Sequence, residues 1–223
     1  MFSECGWRYR LVYKDKIPFY SSNEYTAFGT AIHSTCENVL FGNKNAKPEE
    51  YFVEQFANER KEVEKPDDVL AEQMLSQGKT ILPQVQGAVK SVFGDYEVVS
   101  VEEELLQPIR EDLDFKGYID MVLKTPDGKY HIFDWKTCSW GWDARKKNDP
   151  MVTYQLTLYK YFFARKMEID PTMIETHFAL LKRTAKKNRV EFFRVTSGPR
   201  KTNNAVKLLN KALYNIKKER YIK

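Results

Sequence analysis

The chain has 223 residues, of which 42% are apolar and 30% charged, a composition typical of a soluble globular protein. No apolar run approaches the roughly 20 residues that would cross a bilayer, which excludes a membrane span, and the net charge of +5 conceals a strongly basic C-terminal end. Three cysteines, odd in number and widely spaced, argue against a disulfide framework and a CxxC metal site, so we expect a reducing, cytoplasmic environment.

The first 94 residues are predicted to be mainly helical. The opening stretch, MFSECGWRYRLVYK, is polar and basic without the apolar core of a signal peptide, and we expect the protein to stay where it is made. Apolar residues then recur at helical spacing over 24–41, a short charged helix follows over 49–62, and Pro66-Asp67 opens a longer one. Pro83 is expected to kink or break this third helix. We interpret this helical front as a cap.

From residue 95 the period of the apolar residues changes, and β-branched and aromatic residues predict β-strands. The stretch TPDGK is typical of a hairpin turn between the second and third strands. An apolar helix starts at Pro150, a residue favoured in the first helical turn. We expect one α/β domain over residues 1–223, since no Gly/Ser-rich or Pro-rich linker divides the chain. The predicted elements are strands at 96–106, 115–124, 129–136, 174–182 and 189–195, and helices at 150–166 and 200–218.

Two aspartates stand in the predicted hairpin where a plain core strand would carry apolar side chains. Pairing across the turn can bring Asp120 within a few ångströms of Asp134, and the two carboxylates would repel each other unless a cation neutralised them. Mg²⁺ or Mn²⁺ would do so, because both prefer oxygen ligands. Lys136 shares a strand face with Asp134, which adds an ammonium group to the carboxylate pair. Such a set can acidify a bound water and stabilise charge on a phosphate under attack.

Each aspartate also has an ordinary interpretation. A lone strand aspartate is usually an edge residue or a partner in a surface ion pair, and D-x-K is frequent by chance. The order of motifs is more specific, because an acidic strand with VEEEL is followed by G-x-x-D in an apolar strand, a turn, D-x-K at the end of the next strand and an apolar helix. We therefore favour a catalytic interpretation for Asp120, Asp134 and Lys136.

Positive charge is concentrated at the C-terminal end, where residues 182–223 hold 14 Lys or Arg and two acids. Such a segment attracts polyanions, of which nucleic acid is the commonest, although it can also be a solvated surface kept for solubility. The loop over 137–150 places two tryptophans among cations, which can stack bases and hold phosphates of a single strand, or can pack on the core. The candidate nucleic-acid contacts are Trp140, Trp142, Arg145, Lys146, Lys147, Lys182, Arg183, Lys186 and Lys187.

These motifs resemble those of the PD-(D/E)XK nucleases, specifically the RecB-like exonuclease branch. GYID, FDWK and the Q-x-x-x-Y pattern in QLTLY are similar to the core motifs of that branch, FGTAIH resembles its G-x-x-x-H helix, and ECGWRYRLVY resembles its opening C-x-x-x-Y segment. From Cys5 to Tyr159 the resemblance covers about two thirds of the chain in the expected order. It implies a restriction-endonuclease-like α/β core, with a mixed central sheet flanked by helices and an N-terminal helical cap.

The resemblance also implies roles for residues near the hairpin. Asp120 and Asp134 would bind the metal, with the Trp135 carbonyl as a further ligand. Lys136 would orient the attacking water and stabilise the charge that develops on phosphorus. His33 would lie near a metal or the scissile phosphate, whereas without the resemblance it would be taken for a hydrogen-bonded core histidine.

Two further positions are carried over from the family. Gln155 and Tyr159 lie one helical turn apart on one face, so both would reach the active site or the DNA backbone. Taken alone they would be ordinary helix residues beside a partly polar core. The family also places an acid on the preceding strand, and because alternate residues share a face this acid is either Glu103 or the pair Glu102 and Glu104. We favour Glu102, as a catalytic and metal-binding residue.

Several members of the branch hold an iron-sulfur cluster with one N-terminal cysteine and three near the C-terminus. Cys5 stands at the N-terminal position, but no cysteine follows Cys138, and a cluster needs four thiolates. We therefore expect no iron-sulfur cluster. The sequence also lacks a G-x-x-x-x-G-K-[ST] phosphate loop, so a helicase activity would have to come from a partner.

The sequence thus predicts a metal-dependent nuclease that hydrolyses DNA, from an end rather than internally if the helical front arches over the site. The expected partners are single- or double-stranded DNA with a free end, and a recombinase, helicase or single-strand-binding protein. A role in recombination, repair or phage DNA processing would suit the small size, and would place a phage-encoded protein in the host cytoplasm. The alternatives are an endonuclease, an RNase, and a nuclease-fold protein that binds DNA or a recombination partner without cutting.

Overall fold

Helices form the N-terminal part of the chain, as the apolar spacing predicts. The computed structural model describes residues 2–17, 21–110 and 113–222. Its N-terminal helices are α1 (Gly6–Tyr9, continued by a π-helical turn Arg10–Lys14), α2 (Glu24–Thr35, continued by a π-helical turn Cys36–Leu40), α3 (Pro48–Arg60) and α4 (Asp68–Phe93). Asn23 caps α2 by accepting a hydrogen bond from the Thr26 amide at 3.1 Å.

The expectation was that Pro83 would kink or break this helix, and a break is wrong, because α4 runs unbroken for 26 residues with Pro83 inside it. Pro83 is exposed, and water can therefore satisfy the carbonyl that loses its helical partner. On the opposite side Ile81, Leu82 and Val85 are buried. Their packing holds the helix together through the proline.

A five-stranded mixed sheet follows, in the order β1-β2-β3-β4-β5. Its strands are β1 (Glu97–Arg110), β2 (Leu113–Lys124), β3 (Tyr130–Cys138), β4 (Ile174–Lys182) and β5 (Val190–Val195). β3 and β4 are parallel, and the other neighbouring pairs are antiparallel. The parallel pair needs a crossover, which contains the short helix α5 (Ala144–Asn148) and the long helix α6 (Pro150–Met167), and helix α7 (Pro199–Lys217) follows the sheet.

Helices pack against both faces of the sheet, which confirms the predicted α/β layering. Phe133 and Trp135 of β3 are fully buried in the cluster that contains the apolar residues of α2 and α4. Ile132 and Phe178 are buried in the cluster that contains those of α6. Because strand residues alternate between faces, Asp134 points toward α6. Among the described residues, no helix has both the length and the apolar character to cross a membrane.

Candidate metal centre

The β2–β3 hairpin brings the two strand aspartates together, as the turn predicts. Met121 pairs with Phe133 at the end of the antiparallel register, and Asp120 and Asp134 are the next residues of the two strands. Beyond Met121 and Phe133, a side chain takes part in the hydrogen bonding between the two strands. The Trp135 amide donates a hydrogen bond of 2.6 Å to Asp120 Oδ2 instead of to a backbone carbonyl. The end of the hairpin is therefore shaped around a carboxylate.

Both aspartates are costly to ionise in this position. Burial, followed by the charge of Asp134, raises the pKa of Asp120 to about 7, against the opposing effects of the Trp135 amide and Lys136. Burial also raises the pKa of Asp134, and the ammonium of Lys136 counteracts this rise. The ammonium of Lys136 offsets this cost only in part, since both pKa values remain raised. A bound cation would supply further positive charge.

Lys136 and Gln155 hold Asp134 from two sides. Lys136 Nζ lies 2.5 Å from Asp134 Oδ2, and the Gln155 amide nitrogen donates a hydrogen bond of 2.6 Å to Asp134 Oδ1. The same nitrogen lies 3.2 Å from the hydroxyl of Tyr159, which accepts from it. Residues four apart share a helix face. Helix α6 thus brings Gln155 and Tyr159 to the carboxylate pair, which is one of the two places that the family resemblance implies for them.

Helix α2 and the π-helical turn that continues it add two residues to the candidate site. His33 and Glu37 lie one helical turn apart. One ligand atom from each of His33, Glu37 and Asp120 lies within 4.8 Å of the other two. His33 Nε2 is buried and has no hydrogen-bond partner among the described residues. Burial, followed by the charge of Lys136, lowers the pKa of His33 to about 3, so its ring is neutral and its nitrogen can act as a ligand.

Glu37 is a candidate metal ligand that the sequence analysis did not name. Its side chain is only 5% exposed, and burial raises its pKa to about 8, with the charges of Asp120, Glu102 and Asp134 acting in the same direction. It lies in the π-helical turn after α2. The signal that was available is its spacing, since it follows His33 by four residues and shares its helix face.

The three consecutive glutamates of β1 have different surroundings. Glu103 pairs with Lys166 at 2.6 Å, and Glu104 accepts from the Tyr118 hydroxyl at 3.1 Å. Glu102 is the member whose charge acts on both Asp120 and Glu37. Its φ of 48° is unusual for a residue with a Cβ in a strand and marks local strain. Of the alternatives from the sequence, Glu102 is therefore the one whose charge links it to the candidate metal centre.

The candidate nucleic-acid contacts divide into an exposed and an inward-facing set. Lys147 and Lys182 pair with Glu191 at 2.7 Å and 3.0 Å. Arg183 is buried and donates to Ser139 Oγ, and Trp142 packs on Phe178. These four side chains are engaged within the fold. The exposed members are Trp140, at 73%, Arg145, Lys146, Lys186 and Lys187.

Comparisons with known proteins bear on the family and the fold of the chain. A sequence model of the PD-(D/E)XK nuclease superfamily matches residues 1–221. Among solved structures, the chain is similar to that of a proposed exonuclease from Eubacterium rectale, with a TM-score of 0.59 and 12% identity over 96% of this chain and 72% of that chain, which establishes the fold alone. It also aligns with SSO0001 at a TM-score of 0.37 and 16% identity, over 66% of this chain and 67% of that chain, which is too low a score to carry an argument. No curated protein matches the sequence.

Proposed function

Because this chain belongs to the PD-(D/E)XK nuclease superfamily, we propose that it is a nuclease that needs Mg²⁺ or Mn²⁺ and hydrolyses DNA phosphodiester bonds, from a free end in preference to internal positions. The observation that carries the proposal is the meeting of Asp120, Asp134 and Lys136 at the end of one hairpin, with Gln155 bonded to Asp134 at 2.6 Å. A protein that only bound DNA would have little need to keep these charges together in a buried pocket.

The donor atoms at the site suit a hard divalent ion. Carboxylate oxygens outnumber the cations that face them, and Lys136 is the cation that acts on Asp120 and Asp134. The proposed ligands are Asp120, Asp134, Glu37, His33, Glu102 and the Trp135 carbonyl. When bound, Mg²⁺ or Mn²⁺ would stabilise the charge of the phosphate as a Lewis acid and would lower the pKa of a bound water.

The protein's own groups position the carboxylates and stabilise charge. The Trp135 amide fixes one oxygen of Asp120, and Gln155 fixes one oxygen of Asp134. In the reaction, a water gives its hydroxyl to phosphorus, the bond from phosphorus to the leaving sugar oxygen breaks, and that oxygen takes up a proton. Lys136, whose side chain is 34% exposed, can meet a phosphate from the solvent side and stabilise the negative charge that builds on it.

The choice of DNA as substrate rests on charge and on one exposed ring. Trp140, Arg145 and Lys146 follow the D-x-K strand and are exposed, so they can stack a base and hold backbone phosphates. Lys186 and Lys187 add positive charge in the turn between β4 and β5. We propose these five residues as the DNA contacts, with a role in recombination, repair or phage DNA processing and with a recombinase, helicase or single-strand-binding protein as partner.

The proposal includes no iron-sulfur cluster. The sequence has three cysteines, one fewer than a cluster requires. Cys5 caps α1, since its sulfur accepts a hydrogen bond from the Arg8 amide at 3.4 Å. Cys36 is buried on the α2 side of the sheet. These placements give each of the two cysteines a structural role.

A time course on end-labelled linear and closed-circular DNA, single- and double-stranded, tests the proposal. Loss of linear DNA with Mg²⁺ or Mn²⁺ but not with EDTA, while circles stay intact, is the expected result. Nicked circles would make the protein an endonuclease. The variant Asp134→Ala serves as the inactive control and must cut no substrate. Binding without cleavage in every lane would favour the non-cutting alternative, and cleavage of RNA but not DNA would favour an RNase.

A further inference from the structure

A second cluster of potential metal ligands lies on the other face of the sheet. His131 at the start of β3 stands beside Glu175 and His177 of β4, and one ligand atom from each lies within 4.8 Å of the others. Both imidazole rings contact Phe93 at the end of α4, with ring centroids 4.9 Å and 5.1 Å apart. The cluster is thus on the α4 face, whereas Asp134 points toward α6.

The two imidazoles already have the spacing of ligands on one ion. His131 Nδ1 lies 3.3 Å from His177 Nε2, and a tetrahedral ion with bonds of about 2.0–2.1 Å separates its ligand atoms by about 3.4 Å. Glu175 Oε2 lies 4.0 Å from His177 Nε2, so this flexible carboxylate must approach by about half an ångström or somewhat more. Two histidines and a glutamate are one of the ligand sets that zinc uses.

A hydrogen-bonded chain behind His131 fixes which of its nitrogens is free. The Thr125 hydroxyl donates to Asp127 Oδ1 at 2.5 Å, and its oxygen lies 3.1 Å from His131 Nε2. With its own proton directed to Asp127, Thr125 accepts the proton of Nε2. The lone pair of His131 Nδ1 therefore points at the cluster, in the arrangement by which outer groups orient metal-binding histidines.

The surrounding charges leave one oxygen of Glu175 available. Lys129 and Arg194 both approach Oε1, at 3.4 Å and 3.1 Å, whereas Oε2 is the atom on the side of His177. Their side chains are 41% and 57% exposed, so water screens their repulsion toward an ion. Burial also lowers the pKa of His131 and that of His177, which keeps both rings neutral.

We propose that His131, Glu175 and His177 form a second metal site, separate from the nuclease centre, that binds a borderline divalent ion of the Zn²⁺ type. Nitrogen ligands favour such an ion over Mg²⁺, which prefers oxygen. Bound there, the ion ties β3 to β4 at the end of the sheet away from Lys136, and so stabilises the strand that carries Asp134 and Lys136. Its role is structural, and the proposal does not depend on nuclease activity.

The chain has three histidines, which makes the assignment direct. We would label untagged protein with ¹⁵N-histidine and add one equivalent of Zn²⁺ in the presence of excess Mg²⁺, following the imidazole nitrogens by NMR. The expected result is that two rings shift and the third, assigned with His33→Asn, does not. A shift of the His33 ring alone would place zinc in the nuclease centre and overturn the proposal. No shift in any ring, the result expected of binding through cysteines, would overturn it as well.

Ligand variants provide an independent measurement. Competition with a chromophoric chelator should show at least tenfold weaker Zn²⁺ binding for His177→Asn, and Zn²⁺ should no longer raise its thermal unfolding midpoint. Because His177 is buried and its variant can fail to fold, Glu175→Gln, at a side chain that is 14% exposed, is measured in parallel. Glu54→Gln, at an exposed position on α3, is the control and should keep the wild-type zinc affinity. Wild-type affinity in Glu175→Gln, with a folded protein, would refute the site.

Discussion

Replacing Glu37 with glutamine should stabilise the metal-free protein at pH 8 and weaken its response to Mg²⁺. Glu37 is 5% exposed and faces Asp120, Glu102 and Asp134, and its pKa is raised from 4.5 to about 8, first by burial and then by those charges. Below pH 4.5 both the folded and the unfolded state hold the proton. Between pH 4.5 and about 8 the unfolded state has lost it while the folded state keeps it, so stability falls as the pH rises.

The size of this effect follows from the two pKa values. Each pH unit of the interval costs about 1.4 kcal/mol, so the whole interval corresponds to about 5 kcal/mol as an upper figure. Water at the open side of the centre reduces it, and we expect a difference of about 2–5 kcal/mol. Asp120, with a pKa raised to about 7, adds a loss of the same sign in both proteins. Glutamine keeps the shape of Glu37 without its charge.

Urea unfolding at pH 5, 6.5, 8 and 9 in EDTA, and again with 10 mM Mg²⁺, would measure this. We expect Glu37→Gln and the wild type to have similar stability at pH 5, and the variant to be more stable at pH 8 and above. Mg²⁺ should raise the unfolding midpoint of the wild type at pH 8 and raise that of the variant less. Glu54→Gln, at an exposed position on α3, is the control and should change neither quantity. A Glu37→Gln protein less stable than the wild type at pH 8 in EDTA would refute the reasoning.

Four other predictions follow from the contacts around the sheet. Asp134→Ala should reduce cleavage below detection without lowering the unfolding midpoint in EDTA, because it removes one of two facing carboxylates. Lys136→Ala should still bind Mn²⁺ but cleave about 10²–10³-fold more slowly, which is typical when one charge-stabilising donor is lost. The double variant Lys186→Ala/Lys187→Ala should lower the salt dependence of DNA binding by about 1.4–1.8 in its logarithmic slope. In helix α4, Gly78→Ala should destabilise the protein by about 1–3 kcal/mol, because the added Cβ would overlap the Phe52 ring. Gly87→Ala should stabilise it by up to about 1 kcal/mol, because a Cβ there would meet no neighbour within 4 Å and alanine favours the helix.

Each of these has an outcome that would contradict it. Cleavage by Asp134→Ala at the wild-type rate would mean that the metal centre lies elsewhere, and unchanged turnover in Lys136→Ala would remove its proposed role. The exposed pair Lys61→Ala/Lys65→Ala removes the same charge from the α3–α4 connection, and an equal effect on the salt slope would mean that only net charge matters. Equal stabilities for Gly78→Ala and Gly87→Ala would be inconsistent with the packing of α4 on α3.

Truncation of the basic C-terminal helix α7 would not be a clean test of DNA binding. From its charge, the sequence predicts that truncation before Arg200 should weaken DNA binding and lower its salt dependence. In the structure, Ala205 of α7 is buried and Leu209 packs against the α6 side of the core. Removing the helix would expose that face, so a loss of binding could reflect unfolding. Point substitutions at exposed lysines avoid this ambiguity.

The contacts around the β2–β3 hairpin could be predicted from the sequence, because they depend on local spacing. The turn after Thr125 sets the register, the register brings Asp120 beside Asp134, alternation puts Lys136 on the same face as Asp134, and helical spacing puts Gln155 and Tyr159 together. Glu37 could not be found in this way. It is 83 positions from Asp120 along the chain, and periodicity shows which face of a helix is apolar but not which strand that face will pack against.

Packing between distant parts of the chain also explains why the basic residues proposed to contact DNA could not be chosen from the sequence. Lys147 of α5 and Lys182 of β4 carry charges suited to DNA, yet both pair with Glu191 on β5, and Arg183 turns inward to Ser139. Composition counts their charges, but only the tertiary fold brings Lys147 of α5 and Lys182 of β4 to Glu191 of β5. Local order along the chain therefore determined the chemistry of the centre. Long-range packing decided which charges join it and which are neutralised, because a charge interacts with its neighbours in space and not with its neighbours in sequence.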